Sequence, residues 1–122
     1  MTDMDEFTLT DGPGGAVNFR GTLLAEHSSF TPSKDRWTET KIYITEAGSY
    51  VLHKVGRTKL PNEEDRFSAQ ISEKPQGLIE CFYFKDPDGV WTMRYTDRMC
   101  LYKAMDKDEA LRLAFKKGVT IE

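Results

Sequence analysis

The sequence has few of the features that mark specialised protein classes. It contains only two cysteines, five prolines and nine glycines in 122 residues, which argues against a disulfide-rich domain or a low-complexity chain. Its apolar runs fall far short of the roughly 20 residues that cross a membrane. Its N-terminus, MTDMDEF, is acidic and lacks the apolar core of a secretory signal. These absences predict a cytoplasmic protein without a membrane partner, with free, buried thiols at Cys81 and Cys100.

The motifs of common enzyme and metal sites are also missing. The net charge of −3 disfavours nucleic acid as a partner, because phosphate binding calls for clustered Lys and Arg. The two His and two Cys lack the short spacings of zinc ligands, and KDPDG is a turn sequence rather than a calcium loop. There is no glycine-rich phosphate loop and no nucleophile elbow. The sequence therefore predicts no metal and no cofactor.

Hydrophobic patterning predicts one α+β domain over residues 16–122, a size typical of single domains. Residues 1–15 are predicted to be a loose N-terminal segment, with a short edge strand through Phe7 and Leu9 as the alternative. The domain is predicted to hold an antiparallel sheet of about four strands followed by two or three C-terminal helices. Gly21 lies in the middle of AVNFRGTLLAEHSSF, residues 16–30, and favours a strand with a bulge there over a helix.

The C-terminal half carries the helix signals. For segment 73–84 we favour a helix capped by Ser72; the alternative is a strand, LIECFYF, paired through DPDG to VWTMRY. Thr96 is the predicted cap of DRMCLYKAM, and Asp106 or Asp108 the start of EALRLAFKK. Gly118 is the predicted end of the last helix.

The most strongly patterned stretch is RWTETKIYITEAGSYVLHKVGRT, residues 36–58, which predicts a β-hairpin. A three-residue loop, 46–48, would pair Ile42 with Leu52 and Ile44 with Tyr50 on an apolar face. A two-residue loop would instead place His53 in the core beside these residues, because a one-residue slip exchanges the faces. With the longer loop, the other face carries Trp37, Glu39, Lys41, Tyr43, Val51, His53, Val55 and Arg57.

That second face has two interpretations. A wet face of an antiparallel sheet commonly mixes charges in this way. Large aromatics among charges, however, are typical of interaction surfaces, and Trp37 over Arg57 would form a cation–π pair, with Glu39 diagonal to His53. The residues predicted to bind a partner are Trp37, Glu39, Lys41, Tyr43, His53, Arg57 and His27.

A catalytic interpretation uses some of the same residues. Two imidazoles and an amine, from His27, His53 and Lys41, are the groups of a metal-independent phosphodiesterase. This alternative is a small nucleotide- or RNA-acting enzyme or sensor, and it requires the three side chains to meet in one pocket.

The segment FRGTLLAEHSSF…RWTETKIYITEAGSYVLHKVGRT resembles small bacterial and phage-borne proteins of the EXLDI family. The shared pattern is a strand ending in Leu-Leu-Ala, a Trp-x-Glu hairpin and a Tyr-Val-x-His strand followed by Gly-Arg, over residues 19–58. The pentapeptide that names the family is absent. The resemblance implies a phage or mobile-element accessory protein and brings no catalytic residue with it. The leading hypothesis is thus a non-enzymatic interaction module that binds a protein partner or itself.

Overall fold

In the computed structural model, which describes residues 4–118, an antiparallel sheet precedes a helical layer. The elements in chain order are β1 (Asp5–Asp11), β2 (Gly15–Ser28), β3 (Arg36–Thr45), β4 (Tyr50–Thr58), β5 (Arg66–Ser72), α1 (Pro75–Glu80), β6 (Tyr83–Lys85), β7 (Trp91–Met93), α2 (Tyr95–Met105) and α3 (Glu109–Lys117).

The main sheet has five strands in the order β1-β2-β3-β4-β5, and β6 and β7 form a separate two-stranded sheet. The α+β class is confirmed, while the predicted number of about four strands was too low. The extra strand is β1, so the N-terminal segment is the edge strand rather than loose chain from Asp5 onward. A turn with positive φ at Gly12 and Gly14 joins it to β2, as glycine allows at little cost.

Strand β2 contains both a close backbone approach and a bulge. A Cβ atom on Gly21 would lie 2.2 Å from the carbonyl oxygen of Ile44, so only glycine lets β3 approach here. The register then shifts between Leu23 and Ala25, which makes Leu24 the extra residue of a bulge. The predicted bulge exists, but three residues beyond the glycine that indicated it.

Both interpretations of segment 73–84 were correct in part. Residues 75–80 form α1, with Pro75 in its first turn and Lys74, not Ser72, at the N-cap. The chain then turns into β6, which pairs with β7 through the Asp86–Gly89 turn. The Asp86 side chain accepts hydrogen bonds from the backbone N–H groups of Asp88 and Val90, which is the ordinary role of Asp in such a turn.

The last two helices differ in how they begin. Helix α2 starts at Tyr95 with Arg94 at its N-cap and no side-chain cap, so the predicted cap at Thr96 was wrong. Asp108 caps α3 by accepting a hydrogen bond from the N–H of Leu111 at 3.0 Å, as predicted. The α3 helix ends at Gly118 with φ of 92°, also as predicted.

Two apolar clusters lie on opposite faces of the sheet. The helix-side cluster joins Ile42, Tyr50 and Leu52 to the helical layer. Lys54, on the same face, pairs with buried Asp97 of α2 at 2.7 Å. The helix-side cluster consists of Leu24, Ala25, Ile42, Tyr50, Leu52, Leu78, Ile79, Phe82, Met93, Cys100, Leu101, Ala104, Leu111 and Ala114.

The opposite face is closed by the sheet itself, and we call it the concave face. The sheet curls until the end of β1 meets β5. Gly12 N–H donates to the carbonyl of Phe67 at 2.8 Å, and Ala69 N–H donates to the Asp11 carboxylate at 3.0 Å. The concave cluster is formed by Leu9, Tyr43 and Val51 with Phe7, Phe19 and Leu23.

Two smaller findings complete the fold. Within residues 4–118, no helix is long and apolar enough to pass through a membrane. Both cysteines are free; Cys100 is buried, whereas Cys81 is only half-buried. Burial raises the pKa of the Cys100 thiol to about 12.

Candidate functional site at the open end of the concave face

The pairing of β3 with β4 settles the register of the central hairpin. Ile42 faces Leu52, Lys41 faces His53, and Trp37 faces Arg57, which confirms the three-residue loop. Gly48 takes a φ of 88° in that loop, a value that favours glycine. His53 therefore points away from the helix-side cluster.

One half of the predicted binding face is apolar core. Tyr43 and Val51 are buried, and the ring of Tyr43 contacts Phe7 and Phe19 with centroids 4.7 and 5.3 Å apart. Burial, together with the charge of Glu26, raises the pKa of Tyr43. The interpretation of this face as solvated is wrong at this end, because the curl of the sheet covers it.

His53 lies next along the face and is only 8% exposed. Its Nε2 atom lies 2.8 Å from the carbonyl oxygen of Thr10, so Nε2 carries the proton and donates it. The ring also stacks on Phe67, with centroids 6.4 Å apart. His53 thus links β4 to β1, and the predicted contact with Glu39 is replaced by this hydrogen bond.

The open end of the face is organised around Arg57. Its Nε donates to Glu39 and its Nη1 to Asp65, both at 2.9 Å, and its guanidinium lies 5.8 Å from the centroid of Phe67. The predicted stacking on Trp37 is not formed. Trp37 instead donates from its indole N–H to Glu39 at 3.3 Å and packs edge-on against Phe30, with centroids 4.7 Å apart.

The electrostatics of this cluster hold all three charges in place. Hydrogen bonds from Arg57 and from the N–H of Thr58 lower the pKa of Asp65. Burial alone would raise the pKa of Glu39, but the hydrogen bonds from Arg57 and Trp37 bring it below its ordinary value. The two carboxylates in turn raise the pKa of Arg57. The hydrogen bonds to Glu39 and Asp65 orient the guanidinium.

A cleft of about 1220 Å³ opens beside this cluster. Arg36, which is hydrogen-bonded to Glu63, and Arg66 add positive charge, while Glu63, Glu64 and Asp65 balance it. Among the described residues, the Nη2 atom of Arg57 has no hydrogen-bond partner, and its side chain is partly exposed. The cleft is lined by Gly12, Pro13, Ser29, Arg36, Trp37, Thr38, Gly56, Arg57, Thr58, Asn62, Glu63, Glu64, Asp65, Arg66 and Phe67.

His27 is not part of this face. It pairs with Thr40, the neighbour of Lys41 in β3, so His27 and Lys41 point to opposite sides of the sheet. The Nδ1 atom of His27 lies 3.2 Å from the ammonium of Lys103 in α2. Partial burial and the charge of Lys103 lower the pKa of His27, and Nδ1 accepts from the ammonium, which can only donate.

The structure therefore does not bring together the three side chains of the catalytic interpretation. Lys41 and His53 are cross-strand neighbours, but His27 lies behind the sheet and His53 is engaged with Thr10. A cavity of about 520 Å³ touches both His27 and Lys41 without His53. In the part of the chain from Met4 to Gly118, no three His, Cys, Asp or Glu side chains come together as metal ligands do.

The cluster around Arg57 consists of Arg57, Glu39, Asp65, Trp37 and Phe67. Two of these residues, Asp65 and Phe67, were absent from the predicted site. Asp65 belongs to an acidic loop, NEED, and Phe67 to an alternating strand, so neither stands out in the sequence. One signal in the sequence could have identified Asp65. Only a short connection separates Arg57, near the end of β4, from Asp65, just before the paired strand β5. Neighbouring ends of antiparallel strands bring such residues together.

Comparisons of the chain with protein-family models, with curated proteins and with solved structures found no match. The resemblance of residues 19–58 to the EXLDI family stays a prediction that rests on the quoted residues alone.

Proposed function

We propose that the protein is a non-enzymatic interaction module whose cleft binds a segment of a protein partner. The observation that carries the proposal is the guanidinium of Arg57, which is held by two carboxylates at 2.9 Å and retains Nη2 beside an aromatic-lined cleft. Arg and Trp are the residues on which binding energy most often concentrates at protein interfaces.

Preorganisation explains why this arrangement suits binding. Ordering a long side chain on association costs about 0.5–1.5 kcal/mol. Arg57 is already ordered by Glu39 and Asp65, so a partner's carbonyl or carboxylate oxygen would meet a fixed donor. Trp37 and Phe67 offer apolar contact on the walls of the same cleft. The partner segment is expected to combine an acceptor group with an apolar side chain.

The test is a selection of displayed random peptides against the purified protein. Peptides recovered by the wild type are expected to bind about tenfold or more weakly to Trp37→Ala and to Arg57→Lys, since each removes a contact of the hot-spot type. Arg57→Lys keeps the positive charge but lacks the fork that two carboxylates hold. Affinity is measured by fluorescence anisotropy with each labelled peptide.

Arg20→Ala is the matched control, because Arg20 is an exposed arginine on β2 with a single partner, Glu46, at 3.6 Å. It should bind the same peptides as the wild type does. Sedimentation of the wild type alone tests whether a second copy of the chain is the partner. The proposal fails if no peptide is enriched and the protein sediments as a monomer, or if the selected peptides bind Trp37→Ala with unchanged affinity.

A further inference from the structure

A second surface lies away from the cleft, on the outward side of α2. The inward side of this helix carries the buried residues Asp97, Cys100, Leu101 and Ala104. Tyr95 and Tyr102, seven residues apart and so two helical turns apart, point the other way. Tyr95 is 74% exposed and Tyr102 is 39% exposed, and the half-buried Met99 lies between them.

Contacts with neighbouring aromatic rings hold both ends of this surface. The ring of Tyr102 packs edge-on against Phe115 of α3, with centroids 5.8 Å apart. Just before Tyr95, the guanidinium of Arg94 lies 5.0 Å from the centroid of Phe84. Tyr, Met and Arg are enriched at protein interfaces relative to other surfaces. The outward residues of α2 therefore have the composition of a binding face.

The segment that carries α2 and α3 has a charge opposite in sign to that of the whole chain. Residues 94–117 contain seven Lys or Arg and four Asp or Glu, whereas the chain has a net charge of −3. Two of those four acids are used inside the fold. Asp97 pairs with Lys54 at 2.7 Å, and Asp108 accepts from the Tyr50 hydroxyl and from the N–H of Leu111. Among the cations, Lys103 donates to the Glu26 carbonyl on the sheet, and Arg112 pairs with Glu109. The exposed charges that remain are basic except for Asp106: Arg94, Arg98, Lys107, Lys116 and Lys117.

Arg98 sits on the outward side of α2, and it has no ion pair among the residues the structure describes. Lys107, beyond the end of α2, is likewise exposed. An apolar stripe with Arg98 beside it and Lys107 beyond its end complements a partner that has an apolar stripe flanked by carboxylates. Such a stripe is what an amphipathic acidic helix presents.

We propose that the outward side of α2 is a docking surface for an acidic amphipathic helix of a partner protein. The two helices pack with Tyr95, Met99 and Tyr102 against the apolar stripe of the partner, at the usual spacing of about 8–10 Å between axes. A single-stranded nucleic acid is the less suitable occupant, because it is bound in a basic groove that follows its backbone and a single helix face offers no such groove. The proposal does not depend on the cleft.

The test uses a labelled peptide of about 18 residues, with Leu at helical spacing on one side and Glu on the other. Fluorescence anisotropy should show binding to the wild type that weakens as salt rises from about 0.1 M to 1 M, where the screening length falls from about 10 Å to about 3 Å. Tyr95→Ala plus Tyr102→Ala should weaken binding about tenfold or more, and Arg98→Glu by a smaller factor. Tyr95→Ala alone, at a side chain that is mostly in solvent, tests the surface without disturbing α3.

Two controls test whether binding is specific to this surface and to an acidic peptide. Arg20→Glu reverses an exposed charge on the sheet and should leave binding unchanged, and a peptide with Lys in place of Glu should not bind. The proposal is overturned if the Lys peptide binds equally well, if Tyr95→Ala binds the Glu peptide as the wild type does, or if a single-stranded oligothymidylate binds while the peptide does not.

Discussion

The two faces of the sheet are covered in different ways. The helix-side face is covered by α1, α2 and α3, which come from later in the chain. The concave face is covered by the sheet's own first strand, through contacts such as His53 with Thr10. A face that is covered by separate helices buries a large apolar cluster, and its ion pair joins half-buried Lys54 to buried Asp97. A face that is covered by curling stays open at one end, and charged side chains collect there.

The helix side and the open end of the concave face also shift the pKa values of their acidic groups in opposite directions. On the helix side, burial raises the pKa of Cys100, and burial with the nearby Asp108 raises the pKa of Tyr50. At the open end, ionised partners lower the pKa values of Glu39 and Asp65. The helix side is therefore expected to weaken in alkali and the open end in acid.

The largest expected effect contrasts one buried aliphatic from each face. Ile42→Ala should lower the free energy of unfolding by about 4 kcal/mol, because Ile42 is fully buried under the helices. Leu9→Ala should cost about 2 kcal/mol, near the low end for such changes, because Leu9 lies on an edge strand that can move inward. Urea denaturation measures both. Equal losses of unfolding free energy would show that the concave cluster is packed as tightly as the helix-side cluster.

The next effect concerns the ion pair of the helix side. Asp97→Ala should cost about 3 kcal/mol, because it leaves half-buried Lys54 without its carboxylate. Lys54→Met combined with Asp97→Leu should cost much less, since an apolar pair of similar size removes both charges. If the double variant is as unstable as Asp97→Ala, the ion pair stabilises the fold more than an apolar pair of similar size does.

A smaller effect is expected in alkali. A raised pKa in the folded state means that stability is complete below the unfolded value of about 8.5 and declines as pH rises towards about 12. Cys100 can contribute at most about 1.4 kcal/mol per pH unit to this slope. Cys100→Ala should therefore flatten the curve of unfolding free energy against pH. Ala104→Gly, also buried in α2, should lower the curve without changing its slope.

The smallest effect is expected in acid, at the open end. Because the pKa values of Glu39 and Asp65 are lowered on folding, their contribution is present above the unfolded values of about 4 and is lost as pH falls. Glu39→Gln should reduce this acid-dependent loss by less than about 1 kcal/mol, because the pair with Arg57 is partly exposed. Glu46→Gln, in an exposed pair with Arg20, should behave as the wild type in the same titration.

Local signals in the sequence were enough to predict that residues 36–58 form a hairpin and where the last helix ends. Gly48 fits a loop of two or of three residues, so the sequence left the pairing of Ile42 with Leu52 open, and the structure shows it. Asp108 and Gly118 mark the ends of α3 through interactions within a few residues. The hairpin and the end of the last helix depend on short-range geometry, which is why sequence patterns predict them.

The curl of the sheet was beyond the reach of such patterns. Whether Tyr43 meets water or Phe7 depends on β1 returning across the face, more than thirty residues away in the chain. The Arg57 cluster depends in the same way on where the NEED loop folds. Long-range packing of this kind overrides the expectation that a mixed polar face is solvated.

The bulge at Leu24 has a consequence at the level of the gene. Before it, odd-numbered residues of β2, such as Phe19 and Leu23, face the concave cluster; after it, Ala25 and His27 face the helices. Loss of the codon for Leu24 would restore strict alternation and leave Leu23 opposite Tyr43 and Ala25 opposite Ile42, so His27 would keep its side of the sheet. Loss of the codon for Glu26 would instead turn His27 to the side that carries Lys41 and His53.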